Sequence, residues 1–213
     1  MTNPISRGGF LRLAAMSASL LVVPTLARAD DNEITRDMIL NDPDAPVAGN
    51  PAGDLTIVDF FDYNCPYCKK AATSLEKLVK TDGNIRLVYK DWPILHETSI
   101  VGARLALAAK YQDNYLPVHH ALMDIPGYGI PQEQMLAAVR KTNVDQARLD
   151  ADLTAHADDI LRLIKRNLNI AEAIGLQGTP GFLVGVYKVN EALTYDGFVR
   201  VAADARARAK KTR

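Results

Sequence analysis

Apolar and polar positions follow two different periods along this chain, and their order sets out the elements. Leu55-Thr56-Ile57-Val58-Asp59-Phe60-Phe61 is a β-rich, nearly continuous apolar run. Such a run suits a central strand covered on both faces, and Asp59 is its misfit. After Cys68 the apolar positions are Ala71, Ala72, Leu75, Leu78 and Val79. Spacings of three and four residues mark one face of an amphipathic helix, which Asp82-Gly83 ends. Ile85, Leu87 and Tyr89 alternate with polar residues and predict a second strand, closed by Asp91-Trp92-Pro93.

Residues 97–155 carry no strand pattern. They read as helices over 98–111, 116–123, 131–141 and 144–153, punctuated by Pro126-Gly127 and Gly129. A longer helix spans 157–174, with Ile160, Ile164, Leu168 and Ala171 on one face and Gly175 just past its end. Gly178-Thr179-Pro180 leads into a short strand over 181–184, with 186–189 as a hairpin partner. A last helix covers 195–210, and Arg206, Arg208, Lys210 and Lys211 complement the negative end of its dipole. Ahead of all this, 30–53 is polar and broken by Pro43, Pro46, Gly49, Pro51 and Gly53. It reads as a mobile start with a short helix near 36–40, then an extended lead-in. The predicted order is β-α-β, a helical block, then α-β-β-α. If its strands are parallel, the first unit is a right-handed crossover. The block leaves and re-enters at one edge, as a lid or second subdomain.

Residues 1–29 form a targeting segment. Arg7 and Arg12 make a basic start, 13–26 are apolar, and Ala27-Arg28-Ala29 fits a small-x-small cleavage site. The single arginine before Gly8-Gly9 favours the general secretory route over a twin-arginine one. The competing reading, an uncleaved anchor, is opposed by the short run and its breaks at Ser17, Ser19 and Pro24. Cleavage removes three of the 25 basic residues and none of the 25 acidic ones, leaving a formal charge of −3. That balance argues against nucleic acid or an anionic membrane as partner.

Export changes the meaning of the only two cysteines, in Cys65-Pro66-Tyr67-Cys68. Exported cysteines usually staple small folds. Here the only possible bridge closes a very short loop, which restrains the unfolded chain little. Reactivity explains the pair better. A C-x-x-C where a strand gives way to a helix sets two sulfurs one turn apart. It also puts the first at the helix N-terminus, where unpaired N–H groups favour a thiolate. Pro66 loses nothing at the helix start, because its missing N–H would be unpaired anyway. Cys65 is the expected nucleophile, at an exposed position, and Cys68 the inward, resolving cysteine. Two other readings stand beside this one. The cysteines could be half of a zinc site, completed from His96, His119, His120 or His156, although none of these forms a second ligand-spaced pair. They could also be an inert disulfide.

The element order resembles a thioredoxin-like α/β fold with an inserted all-helical subdomain, the layout of the DsbA family of exported thiol:disulfide oxidoreductases. Val58 to Lys69 resembles that family's active-site segment, Tyr89-Lys90-Asp91-Trp92-Pro93-Ile94 its second-strand signature, and Gly178-Thr179-Pro180 its cis-proline loop. C-x-x-C alone is weak; the three segments in order after a signal peptide are specific. On this reading 1–29 is a cleaved signal peptide, 30–53 a lead-in, and 54–210 the thioredoxin-like domain with its helical insertion at about 97–155.

The resemblance implies a periplasmic enzyme that needs no cofactor or metal. Its partners are unfolded or misoxidised exported proteins and a membrane redox partner. Thr179 and Pro180 contact substrate, through a cis bond that turns the Thr179 backbone toward the sulfurs for strand-like pairing. Pro66 and Tyr67 complete the substrate-binding set. Asp59 matches a buried aspartate of thioredoxins and would relay the Cys68 proton; the competing reading is a partly exposed strand-end Asp. Lys90 is a candidate partner for Asp59, or a surface lysine. His119 and His120 read as structural, one facing the core and one solvent. Trp92, Phe60 and Phe61 read as core. Tyr111, Tyr115 and Tyr128 are candidates to line a peptide groove, or to pack. The direction of exchange stays open between an oxidase and an isomerase or reductase resembling DsbC or ScsC. A non-catalytic copper- or zinc-binding protein is the third possibility. About 20 residues of the lead-in precede the first strand, too few for the N-terminal oligomerisation stalk of the ScsC type, so a monomer is expected.

Overall fold

The computed structural model describes residues 34–211. The expected signal segment lies outside the described residues. Five strands form one sheet: β1 (Val47–Gly49), β2 (Leu55–Phe61), β3 (Ile85–Asp91), β4 (Gly181–Val184) and β5 (Tyr187–Val189). Their order across the sheet is β1-β3-β2-β4-β5. β2 and β3 run parallel and every other pair is antiparallel. The helices are α1 (Arg36–Leu40), α2 (Pro66–Asp82), α3 (Ser99–Ala109), α4 (Tyr115–Met123), α5 (Gln132–Val139), α6 (Gln146–Ala155), α7 (Ala157–Ala173) and α8 (Tyr195–Lys211). A 3-10 turn, Lys110–Gln112, follows α3.

β2 is the central strand that its apolar run predicts. Its side chains alternate between two cores, as a two-residue period requires. Ile57 and Phe61 join β3's Leu87 and Tyr89, α2, α8 and the helices α3–α6 in one cluster. Val58 and Phe60 join Val88, Trp92, Ile170 and Ala171 in the other, under α1 and α7. Phe60 meets Trp92 edge-on at 6.2 Å. Each fully buried large side chain of this kind contributes roughly 1.5–3 kcal/mol. Trp92, Phe60 and Phe61 are thus core, as read.

The lead-in does more than its composition suggested. Val47–Gly49 pairs antiparallel with β3, so the sheet begins there. Three residues are too few for a periodic signal, and β3's free edge supplies the pairing. Thr35 caps α1 by accepting from the Met38 N–H.

Lys90 is where the sequence reading is corrected. In the parallel register Asp59 faces Tyr89 and Lys90 faces Phe60. Lys90 therefore points to the opposite side of the sheet from Asp59. It is 0 % exposed, so it is no surface lysine either. Its Nζ pairs with Asp42 at 2.9 Å and donates to the Met38 carbonyl. Arg166 on α7 closes the group by donating to both Asp42 and Asp44 at 2.8 Å. Burial opposes the Asp42 charge, but the bonds from Arg166 and Lys90 hold its carboxyl below the usual range.

Candidate active site

β2 ends at Phe61, and residues 62–64 turn the chain into α2. Asp62 builds that turn. Its carbonyl accepts the Cys65 N–H at 2.9 Å and its Oδ1 accepts the Asn64 N–H at 2.7 Å. Its Oδ2 accepts the N–H groups of Ile94 and Leu95 at 2.8 and 2.9 Å. Cys65 is the N-cap of α2, with extended backbone, and its sulfur accepts the Cys68 N–H at 3.2 Å. Pro66 occupies the first helical turn, and Tyr67 is 67 % exposed.

Both cysteines are free thiols, so this is the dithiol form. The Thr179–Pro180 peptide bond is cis. The Cys65 S–H donates to the Thr179 carbonyl at 3.3 Å. The sulfur is less open than its helix-end position suggested: Cys65 is 1 % exposed, because it folds back between Thr179 and its own helix.

The two thiols are driven apart in acidity. The bond from the Cys68 thiol lowers Cys65 most; burial opposes this, and the Thr179 hydroxyl and the N–H groups of Cys68 and Tyr67 add to it. The result is a thiol brought down to about 6. Cys68 is pushed well up, first by burial and then by the neighbouring Cys65. Asp59 is 4 % exposed, and its Oδ1 has no hydrogen-bond partner. Burial, then the charges of Cys65, Asp91 and Glu76, push its carboxyl well above the usual range. Asp59 is thus a buried carboxyl whose ionisation is disfavoured, within electrostatic reach of both sulfurs. It is not the partly exposed strand-end residue of the competing reading.

Behind the site lies an aromatic cage. His119 packs against Phe61 and Tyr89 at 4.9 and 4.7 Å, and its Nδ1 meets the Tyr63 hydroxyl at 3.0 Å. Burial drops its pKa to about 3, so it stays neutral. His120 faces outward and pairs with Glu76 at 3.2 Å. The two histidines divide as the helical period requires. Among the described residues, no group of three His, Cys, Asp or Glu is placed to hold a metal ion.

The three tyrosines separate. Tyr115 is buried and donates to Asp91 at 3.1 Å. Tyr111 stacks on His156 at 3.6 Å. Tyr128 alone is broadly exposed, with its hydroxyl donating to the Leu95 carbonyl.

Sequence reasoning passed over Asp62, Asn64, Lys69 and Gly102. Lys69 donates to the carbonyls of Ile125 and Gly127 at 2.5 and 3.1 Å. A Cβ on Gly102 would lie 2.8 Å from the Tyr63 ring, so glycine lets α3 close onto the active-site turn. Asp62 and Asn64 carried a signal: both are turn formers directly before the first cysteine. The partners of Lys69 and Gly102 lie too far away in sequence to leave one.

A buried dithiol at a helix N-cap beside a cis-proline loop, on this sheet, defines the thiol-disulfide oxidoreductases. The family model described as Thioredoxin matches residues 41–203, and the chain belongs to that family. Among solved structures it is similar to a thioredoxin-like oxidoreductase from Silicibacter pomeroyi. The two are 40 % identical with a TM-score of 0.76, covering 82 % of this chain and 99 % of that one. It is similar to the thiol-disulfide exchange protein alpha-DsbA2 of Wolbachia pipientis, at 26 % identity and a TM-score of 0.73, covering 79 % and 90 %. The catalytic domain of Proteus mirabilis ScsC is 27 % identical, with a TM-score of 0.64, covering 80 % and 94 %. The chain spans about a quarter of the length of the curated relatives it matches. The Na(+)/H(+) antiporter NhaA 1 of Mycobacterium sp. (strain KMS) is 28 % identical over 163 residues, 75 % of this chain and 25 % of that protein.

Proposed function

We propose that this chain is a periplasmic thiol:disulfide oxidoreductase that oxidises dithiols of exported proteins through Cys65 and Cys68. The observation that supports the oxidising direction is the environment of the Cys65 thiol, whose bonds to Cys68 and Thr179 bring it down to about 6. A stabilised thiolate favours the dithiol form, which makes the disulfide form the stronger oxidant. The targeting segment and the expected domain limits (lead-in 30–53, domain 54–210, insertion about 97–155) are part of the same reading.

In the forward reaction a substrate thiolate attacks the Cys65 sulfur of the oxidised pair. The Cys65–Cys68 bond breaks and a mixed disulfide forms. Cys68 leaves as a poorly stabilised thiolate, and the protonated Asp59 supplies its proton. A second substrate thiolate then attacks the substrate sulfur, and Cys65 leaves as the better leaving group. The substrate gains a disulfide and the pair holds two electrons, which a membrane redox partner must remove. Thr179 and Pro180, with Pro66 and Tyr67, form the surface against which an extended substrate lies.

A second reading reverses the flow and keeps the pair reduced, as an isomerase or reductase. The likeness to the ScsC catalytic domain supports it. Acid quenching of native cells followed by mass-tagged thiol alkylation separates the two. A mostly oxidised pair supports the oxidase, and a mostly reduced pair overturns it in favour of the second reading.

A further inference from the structure

Asn64 is fully buried, and its hydrogen bonds join three separate segments. Its Nδ2 donates to Thr98 Oγ1 and to Ser99 Oγ, both at 3.1 Å. Its Oδ1 accepts the Ile130 N–H at 2.8 Å. Thr98 Oγ1 in turn donates to the Ile130 carbonyl at 2.8 Å, so the partners are themselves tied together. The backbone N–H of Asn64 donates to Asp62 Oδ1. The residue immediately before the nucleophile thus fastens the active-site turn to the start of α3 and to the 124–131 loop. On the other side of the dithiol, Lys69 grips the same loop through Ile125 and Gly127.

We infer that Asn64 is a positioning residue for the redox pair: it holds Cys65 in the N-cap conformation in which the sulfur meets the Cys68 N–H and the Thr179 carbonyl. Its bonds end on Asp62, Thr98, Ser99 and Ile130, so it acts through the turn and not on the sulfur itself. Hydrogen bonds weaken steeply as their angles open. A turn released from the helical block lets Cys65 leave its capping geometry, and the contacts that favour its thiolate weaken together. A buried asparagine is suited to this task because it donates and accepts at once without bringing a charge beside the thiolate. The helical block therefore helps to define the reactivity of the dithiol as well as covering the sheet. This inference rests on Cys65 being the nucleophile. That reading fails separately, if Cys65→Ala leaves disulfide exchange intact.

The test compares three variants of the reduced protein: Asn64→Ala, Thr98→Val and Leu149→Ala. Thr98→Val removes an acceptor of Asn64 on the helical block, remote from the sulfur. Leu149 is a core residue of α6 outside the network, so its truncation reports general destabilisation. The readout is the pH midpoint of Cys65 alkylation by iodoacetamide, measured alongside the thermal midpoint. Asn64→Ala should raise the alkylation midpoint by about 0.5–1 unit, and Thr98→Val should raise it by less. Leu149→Ala should lower the thermal midpoint and leave alkylation unmoved. The inference is overturned if the two network variants lose stability yet keep the wild-type alkylation midpoint, or if Leu149→Ala shifts it equally. Should Asn64→Ala not fold, an unshifted Thr98→Val is sufficient to overturn it.

Discussion

The Cys65 sulfur and the Thr179 carbonyl oxygen stand 3.3 Å apart although 114 residues separate them in the chain. The surroundings of the Cys65 sulfur are therefore built from both halves of the fold. α2 supplies the N–H groups and the Cys68 thiol, while the loop before β4 supplies Thr179. The Thr179 hydroxyl is buried without a hydrogen-bond partner in the dithiol, and it counts among the groups that favour the Cys65 thiolate. Thr179→Val keeps the backbone carbonyl and removes that hydroxyl. The Cys65 titration midpoint should rise above about 6, by less than a unit, in the ultraviolet thiolate absorbance. An unchanged midpoint would remove the hydroxyl from the site.

Cys68 is the largest contributor to the Cys65 thiolate. Cys68→Ala should move the Cys65 midpoint upward by more than Thr179→Val does. The same variant should accumulate mixed disulfides formed when Cys65 attacks a disulfide of an exported protein, since Cys68 is no longer there to displace the substrate from Cys65. The dithiol form's stability should also depend on pH. A thiol whose folded value falls from 9.0 to about 6 gives its full stabilisation above its unfolded value and loses it as pH falls through about 6. Denaturation midpoints of the reduced protein should therefore drop between alkaline and mildly acidic pH. Cys65→Ser should flatten that slope.

Asp59 behaves in the opposite sense. Its folded pKa is raised, so above the unfolded carboxylate value of about 3.9 the unfolded chain ionises while the folded one holds its proton. The residue costs stability as pH rises through that window. Asp59→Asn should stabilise the protein near neutral pH, by about 1–3 kcal/mol, and change little in acid. If Asp59 supplies the Cys68 proton, the same variant should slow mixed-disulfide formation at neutral pH by about tenfold or more. Greater stability with an unchanged rate would leave Asp59 buried but idle.

The Asp42–Lys90–Arg166 group makes an asymmetric prediction. Asp42→Ala leaves Lys90 buried without its anion and should cost about 3–5 kcal/mol in chemical denaturation. Lys90→Met should cost much less, because Arg166 still neutralises Asp42. With its folded pKa below the usual value, Asp42 contributes stability above about 3.9, which is lost as pH falls through the folded value. Equal losses in the two variants would show that the charges act independently.

Much of this was legible in the sequence because it is local. The run Leu55–Phe61 marked the central strand, since a strand covered on both faces must be apolar throughout. The spacing from Ala71 to Val79 marked α2, and Cys65-Pro66 marked its start, since caps and amphipathic faces are read within one or two turns. His119 and His120 separated into core and surface for the same reason.

Pairing across long separations was not legible. Asp59 and Lys90 look like partners in sequence, but the strand register alternates side chains and sends them to opposite faces. The short strand Val47–Gly49 exists because β3 offers it an edge. Asn64 and Lys69 read as ordinary polar residues until the 124–131 loop folds onto them. By itself the sequence determined which residues could do redox chemistry and on which elements they stand, because capping and periodicity act between near neighbours. The tertiary structure alone decided what surrounds each sulfur, because burial and charge at Cys65, Cys68 and Asp59 come from segments that meet only when the chain is folded.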